Sequence, residues 1–211
     1  MLDPAEREAI LKRALTYPYA TPERSYLYRD GRAEELPEDL DLEGRTALVS
    51  YGANAAPEAL ALKLAALPDE PLPVVRSQLR DFDVVYSAHV SPYGAVPATL
   101  LASPGTIAPV FVIYPTAEQR ALLTTTEPNY DLVKIGEAEA YRSKHGCLEL
   151  DGSPVALAAV RSSGRSLPEL DQPAVLERVR AQLAPELELD DFIYACIARS
   201  GIKPLPRLTP L

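Results

Sequence analysis

Apolar positions near the start of the chain recur at helical spacing. Ile10, Leu11, Ala14 and Leu15 share one face of a segment that Asp3 can cap and Pro4 can open, which predicts a helix to about Leu15. The periodicity then stops. Residues 17–45, rich in Pro, Tyr and acid, carry turn signals at Asp30-Gly31 and Glu43-Gly44 and read as an irregular arm packed on a domain. Ala47–Leu48–Val49 is an apolar run that enters Tyr51-Gly52-Ala53-Asn54, and an Ala/Leu-rich segment follows to about Leu64. Strand, turn and helix is the reading there, with Asn54 as N-cap and Pro57 in the first helical turn.

Short β-type runs come next: Val74–Leu79, Asp83–Val90, Val96–Ala102 and Pro109–Tyr114. Arg80-Asp81, Pro92-Tyr93-Gly94 and Ser103-Pro104-Gly105 separate them, a spacing that predicts an antiparallel sheet or small barrel. Thr116 caps a helix with Leu122 and Leu123 on its apolar side, and the helix is expected to end at Glu127 because Pro128 steers that residue out of the α region. Tyr130–Ile135, Ala138–Arg142, Cys147–Leu150 and Val155–Val160 read as strands, with Asp151-Gly152 as a hairpin turn. Two helices, Pro173–Leu183 and Leu189–Ser200, precede Gly201 as a C-cap and a Pro-containing tail that reads as an extended arm.

Composition narrows the functional classes. The chain has 211 residues and a net charge of −9, a poor match to nucleic acid or an anionic membrane surface. Its 21 prolines lie between apolar runs, which indicates stiffened loops and not disorder. Cys147 and Cys196 show no CxxC spacing and read as buried free thiols. The amphipathic, acidic beginning lacks the pattern of a signal peptide, and no uncharged apolar run approaches a membrane span. A soluble, cytoplasmic protein is expected.

Several chemistries lack their residues. GxxxxGK[ST], GxGxxG and GxSxG are all absent. The only histidines are His89, read as a sheet residue, and His145 in a turn, so a triad or metal cluster has no partners. Two features remain. The turn at Tyr51–Asn54 offers unpaired N–H groups beside a helix N-terminus, a setting for a carboxylate or oxyanion, although an ordinary βα connection has the same spacing. Glu127 stands where a helix ends, and partial burial there disfavours a carboxylate's charged form and suits a general base. By spacing alone it equally describes a solvated glutamate.

Taken in order, the segments resemble the gamma-glutamylcyclotransferase-like superfamily. "YGAN" looks like that family's Tyr-Gly-Ser-Asn signature, and "LRDFDVVYS" resembles its Arg-Leu-x-x-Phe-x-Leu-x-Phe strand. "YGAVPATLLASPGTIAPVFVIYPTAEQRALLTTTEPNYDL" is similar to the rest of the pattern. There the family has Gly before Ala-Thr, a Pro-Gly turn, a strand, and a short helix ending in an acidic residue with Tyr soon after. The resemblance spans about Arg45 to Arg142. Two positions depart from it: Ala53 replaces the signature Ser, and Pro128 replaces the Gly that usually follows the acidic residue.

The resemblance implies an α+β fold: a small, mixed, partly closed β-barrel at residues 45–161 with flanking helices. Residues 1–44 would add an N-terminal helix and arm, and residues 162–211 a C-terminal helical extension. It implies an enzyme that releases 5-oxoproline from a γ-glutamyl amine or peptide. Glu127 would be the general acid/base, and Tyr51, Gly52, Ala53, Asn54 and Tyr130 would bind the substrate, with no metal or cofactor. The rival expectation is a non-catalytic small-molecule binding or interaction protein on the same fold. A third is hydrolysis or transfer at a different amide, with the same base and water or an external amine. The expected partner is a γ-glutamyl-type small molecule, without nucleic acid or membrane. The terminal segments would cover the barrel or mediate self-association, for which a homodimer is the form considered.

Overall fold

The computed structural model describes residues 3–205. Helix α1 (Pro4–Leu15) begins as its sequence predicts, with Asp3 and Glu6 forming a reciprocal capping box. The arm that follows is not irregular throughout. β1 (Tyr26–Arg29) and β2 (Arg32–Glu34) form a hairpin around Asp30 and Gly31, both at positive φ, and β1 pairs with the start of β4 (Leu72–Tyr86). Three-residue β3 (Leu48–Ser50) leads into a 3-10 turn (Ala53–Ala55) and α2 (Pro57–Lys63).

The four short strands expected between residues 74 and 114 are two long ones. β4 and β5 (Ala98–Ile113) pair antiparallel from Val74↔Ile113 to Tyr86↔Ala98. The two turn signals face each other across this ribbon, so together they make a bulge and no chain reversal. Asp81 adopts φ 62° and Gly105 φ 83°, and Asp81 Oδ1 accepts the Gly105 N–H at 2.8 Å. Pro104 sits in the bulge, where no ladder donor is required of it.

Helix α3 (Ala117–Thr125) opens with the Thr116–Gln119 capping box and stops before Glu127. Thr124, Thr125 and Thr126 hydroxyls turn back onto the carbonyls of Arg120, Leu122 and Leu123, satisfying the helix end from within. β6 (Tyr130–Ile135) and β7 (Ala138–Ser143) form a hairpin whose second strand runs parallel to β3. β8 (Glu149–Leu150) and β9 (Ser153–Pro154) flank the Asp151-Gly152 turn as expected, and β10 (Ala156–Leu157) joins the edge of β4. β11 (Glu169–Leu170) pairs with β10, and α4 (Gln172–Leu183) and α5 (Leu189–Ala198) follow. From residue 206 the expected extended tail lies outside the described residues.

Among the described residues the fold is α+β: five α-helices and one large, mostly antiparallel sheet with the path β11-β10-β4-β5-β3-β7-β6. Among the described residues no pairing joins β6 to β11, so that path is open. Neighbouring residues of β3 serve opposite faces, as a pleated strand requires. Leu48 joins Leu60, Leu64, Leu123 and Tyr26 in one core, and Val49 joins Val84, Tyr86, Val175, Phe192 and Ile193 in the other. No helix among the described residues is long and apolar enough to cross a membrane.

A buried ion pair fastens the segment beyond β10 to the ribbon. Asp83 is fully buried and takes Arg165 Nε at 2.8 Å, Arg165 Nη2 at 2.7 Å and Ser162 Oγ at 2.8 Å. Removing the cation strands a carboxylate in the interior. Arg165→Ala is expected to lose about 3–5 kcal/mol in urea unfolding, the usual cost of orphaning a buried charge, whereas the exposed Glu169→Ala is expected to lose under about 1 kcal/mol.

Candidate functional site

The 3-10 turn after β3 changes the role of Asn54. The N-cap of α2 is Ala56, not Asn54, and the Asn54 amide is used elsewhere. Its Nδ2 donates to Glu127 Oε1 at 3.1 Å, and its Oδ1 accepts from Lys63 Nζ at 2.7 Å. Lys63, from the last turn of α2, also donates to Glu127 Oε1 at 2.5 Å. The three side chains therefore form a closed triangle. Glu127 is 14% and Lys63 19% exposed, so the pair is shielded from water and holds more firmly than a surface ion pair. This ammonium faces Glu127 from another element and has no counterpart in the helix-end spacing of the sequence.

Both protein donors converge on Oε1, and Oε2 has no hydrogen-bond partner among the described residues. The carboxylate borders a cavity of about 310 Å³, within the size range of small-molecule sites. All the residues expected at the site, namely Tyr51, Gly52, Ala53, Asn54, Glu127 and Tyr130, line it. The N–H groups of Gly52, Ala53 and Asn54 make no hydrogen bond to the described residues, being the leading donors of a helical turn. Ser50 Oγ is buried on the same wall without a partner.

None of the remaining lining was named as a site residue from the sequence. Tyr17 and Arg13 come from the N-terminal segment, and His89 and Tyr93 from the 87–97 loop between β4 and β5. Their hydroxyls are mostly committed to backbone. Tyr17 Oη accepts the Ala98 N–H at 2.9 Å, Tyr130 Oη donates to the Ala98 carbonyl at 2.9 Å, and Tyr51 Oη donates to the Tyr141 carbonyl. Burial, the largest influence on each, pushes the Tyr17, Tyr51, Tyr93 and Tyr130 phenols upward, so they are neutral at physiological pH. Arg13 lies over the Tyr93 ring, 5.2 Å from its centroid. Irregular spacing gave these tyrosines no signal beyond their number in residues 17–28.

His89 is not a strand residue. It lies just past the end of β4, is 1% exposed, and its pKa is lowered to about 3, by burial first and then by His145 and Lys203. Helices from both ends of the chain pack over its loop. Gly94 has φ 85°, and a Cβ there would sit 2.8 Å from Ile193 and 3.3 Å from Ala14. No family model matches this chain, and neither the curated proteins nor the solved structures contain a match to it.

Two measurements check this arrangement. Gly52 has φ −130°, so space and not conformation excludes a side chain: a Cβ would lie 2.5 Å from Tyr17 Oη. Gly52→Ala is expected to cost about 1–3 kcal/mol by overpacking, and Tyr17→Phe in the same chain should recover part of that loss in a double-mutant cycle. The second concerns acid. The unfolded chain takes a proton on His89 near pH 6.5, while the folded chain resists until about 3. Its contribution is therefore complete above pH 6.5 and is lost as pH falls toward 3, with a slope approaching about 1.4 kcal/mol per pH unit. His89→Gln should flatten the acid limb of the stability curve by that slope.

Proposed function

We propose that the protein is a gamma-glutamylcyclotransferase-like enzyme, cytoplasmic and acting on a γ-glutamyl amine or peptide. The observation that carries this reading is the half-engaged Glu127 carboxylate, with Oε1 anchored and Oε2 free, in one cavity with the unpaired N–H groups of Gly52–Asn54. The partly closed barrel belongs to the same reading, as a curl of the open sheet path around that cavity.

In this mechanism Oε2 takes a proton from the substrate's α-ammonium. The freed amine attacks the γ-carbonyl, forming the C–N bond of a five-membered ring and placing charge on the carbonyl oxygen. N–H groups of the 51–54 turn stabilise that oxyanion. Collapse breaks the bond to the leaving nitrogen, which takes the proton held by Glu127; the ionised carboxylate then takes the ring nitrogen's extra proton and passes it to the same amine, so 5-oxoproline and an ammonium product depart and Glu127 is again a carboxylate. Because the attack is intramolecular, the walls contribute chiefly by folding the substrate onto itself. Ala53 provides its backbone donor without the hydroxyl of the family's Ser, and Pro128 stiffens the chain next to the base.

One observation favours a second reading. The Lys63–Glu127 contact of 2.5 Å gives the carboxylate a permanent cationic partner, which suits a receptor that binds an amine-bearing ligand without turning it over. Purified protein incubated with γ-glutamyl amino acids, γ-glutamyl amines and glutathione separates the two, with 5-oxoproline quantified by mass spectrometry. The enzyme reading expects product from wild type and a loss of about a hundredfold or more in Glu127→Gln. Saturable binding of a member of that panel without product would replace the enzyme with the receptor.

A further inference from the structure

A chain of hydrogen bonds behind the cavity fixes where the His89 proton sits. Ser87 Oγ donates its only proton to Ser143 Oγ at 2.6 Å, and it lies 2.7 Å from His89 Nδ1. Having no proton left, Ser87 can only accept from the ring, so Nδ1 carries the hydrogen. Ser143 is itself held: its Oγ also accepts the His145 N–H at 3.0 Å, and its N–H donates to Thr99 Oγ1 at 3.0 Å. With Nδ1 protonated and the ring neutral, Nε2 bears a lone pair.

That lone pair has no partner among the described residues, and Nε2 is not one of the sealed, unsatisfied buried atoms. It therefore reaches open space, and the open space that the ring borders is the cavity. The ring cannot swing away. Tyr130 meets it edge-on at 5.8 Å between centroids, and His145 tilts against it at 5.0 Å. Lys203 brings a positive charge to this corner. Lys203 Nζ donates to Asn129 Oδ1 at 3.2 Å, beside His145 Nε2 at 3.3 Å from the same oxygen. They oppose a second positive charge on His89, as does burial of the ring.

We propose that His89 is a ligand-binding residue: a neutral, tautomer-locked hydrogen-bond acceptor that takes an N–H or ammonium donor of the small molecule in the cavity. Around the cavity the protein offers donors from the 51–54 turn and acceptors from Glu127 Oε2 and His89 Nε2. A ligand that satisfies both carries an anionic or carbonyl group and an amine, the pattern of an amino-acid derivative. The assignment rests on the γ-glutamyl reading only for its choice of probe.

Histidine-labelled protein provides the test, because the chain has only two histidines. Their expected tautomers are opposite: His145 Nε2 donates to Asn129 Oδ1, whereas His89 is protonated at Nδ1. Long-range imidazole proton–nitrogen correlations, assigned with His145→Gln, should show His89 with a bare Nε2 from pH 8 to pH 5. Ser87→Ala should release the lock and bring in the Nε2–H form. Saturating L-glutamate should then move the His89 Nε2 resonance, while glutarate, which lacks the amine, should leave it in place. An Nε2–H or doubly protonated ring at pH 7, or equal responses to the two acids, would overturn the proposal. Neither result depends on 5-oxoproline release, so loss of the cyclotransferase reading would be seen separately.

Discussion

A sheet buried on both faces must find two cores, and this requirement organises the molecule. β3 is only three residues long and wholly buried, so each of its residues has to be useful to one side or the other. Leu48 and Val49 point into different clusters. One face is covered by α2 and α3, and the other by α1, α4 and α5. The chain must therefore leave β3 in a tight turn beyond the end of the strand and begin α2 at once. Backbone donors are left over at that turn for the same reason that they are left over at any helix start.

The cavity follows from this turn. Glu127 reaches the turn from beyond the end of α3, at Asn54, and Tyr17 reaches it from beyond the end of α1, at Gly52. Gly52 lets Tyr17 come so close that its hydroxyl occupies the place of a side chain. Most of the surrounding phenols bind backbone groups, so they shape the wall and give it little spare polarity. The polar groups left for a ligand are few and separated by type: donors on the turn, acceptors on Glu127 and His89. Small-molecule sites commonly have this economy, with orientation set by a handful of polar atoms on an otherwise apolar lining.

Local signals carried a good part of the architecture. Capping boxes at Asp3 and Thr116 marked α1 and α3, and β6 has the bounds its apolar run suggested. Asp151-Gly152 made its hairpin. Errors arose where a local signal had a distant partner. Arg80-Asp81 and Ser103-Pro104-Gly105 each resembled a strand end, and only their pairing turned them into a bulge. Asp30-Gly31 was read as a turn, yet its flanking residues became strands because β4 offered an edge. Asn54 had the chemistry of a cap but found Glu127 and Lys63, contacts 73 and 9 residues away. The site residues named from the 51–54 turn and the end of α3 do meet, while Lys63, His89 and the aromatic wall had no periodic pattern by which to be found.

Gly94 gives the cavity a place in time as well as in space. The loop that holds His89 is pressed between Ala14 of α1 and Ile193 of α5, and Arg7 lies 4.9 Å over the ring of Tyr194 where those helices meet. A chain emerging from the ribosome would have its central ribbon complete long before α5 appears. Contacts of such wide sequence separation close late, after their loop-closure cost has been met. The nascent protein would then pass through an interval with its sheet formed and this wall unfastened, and the cavity would be complete only when the last helix docks.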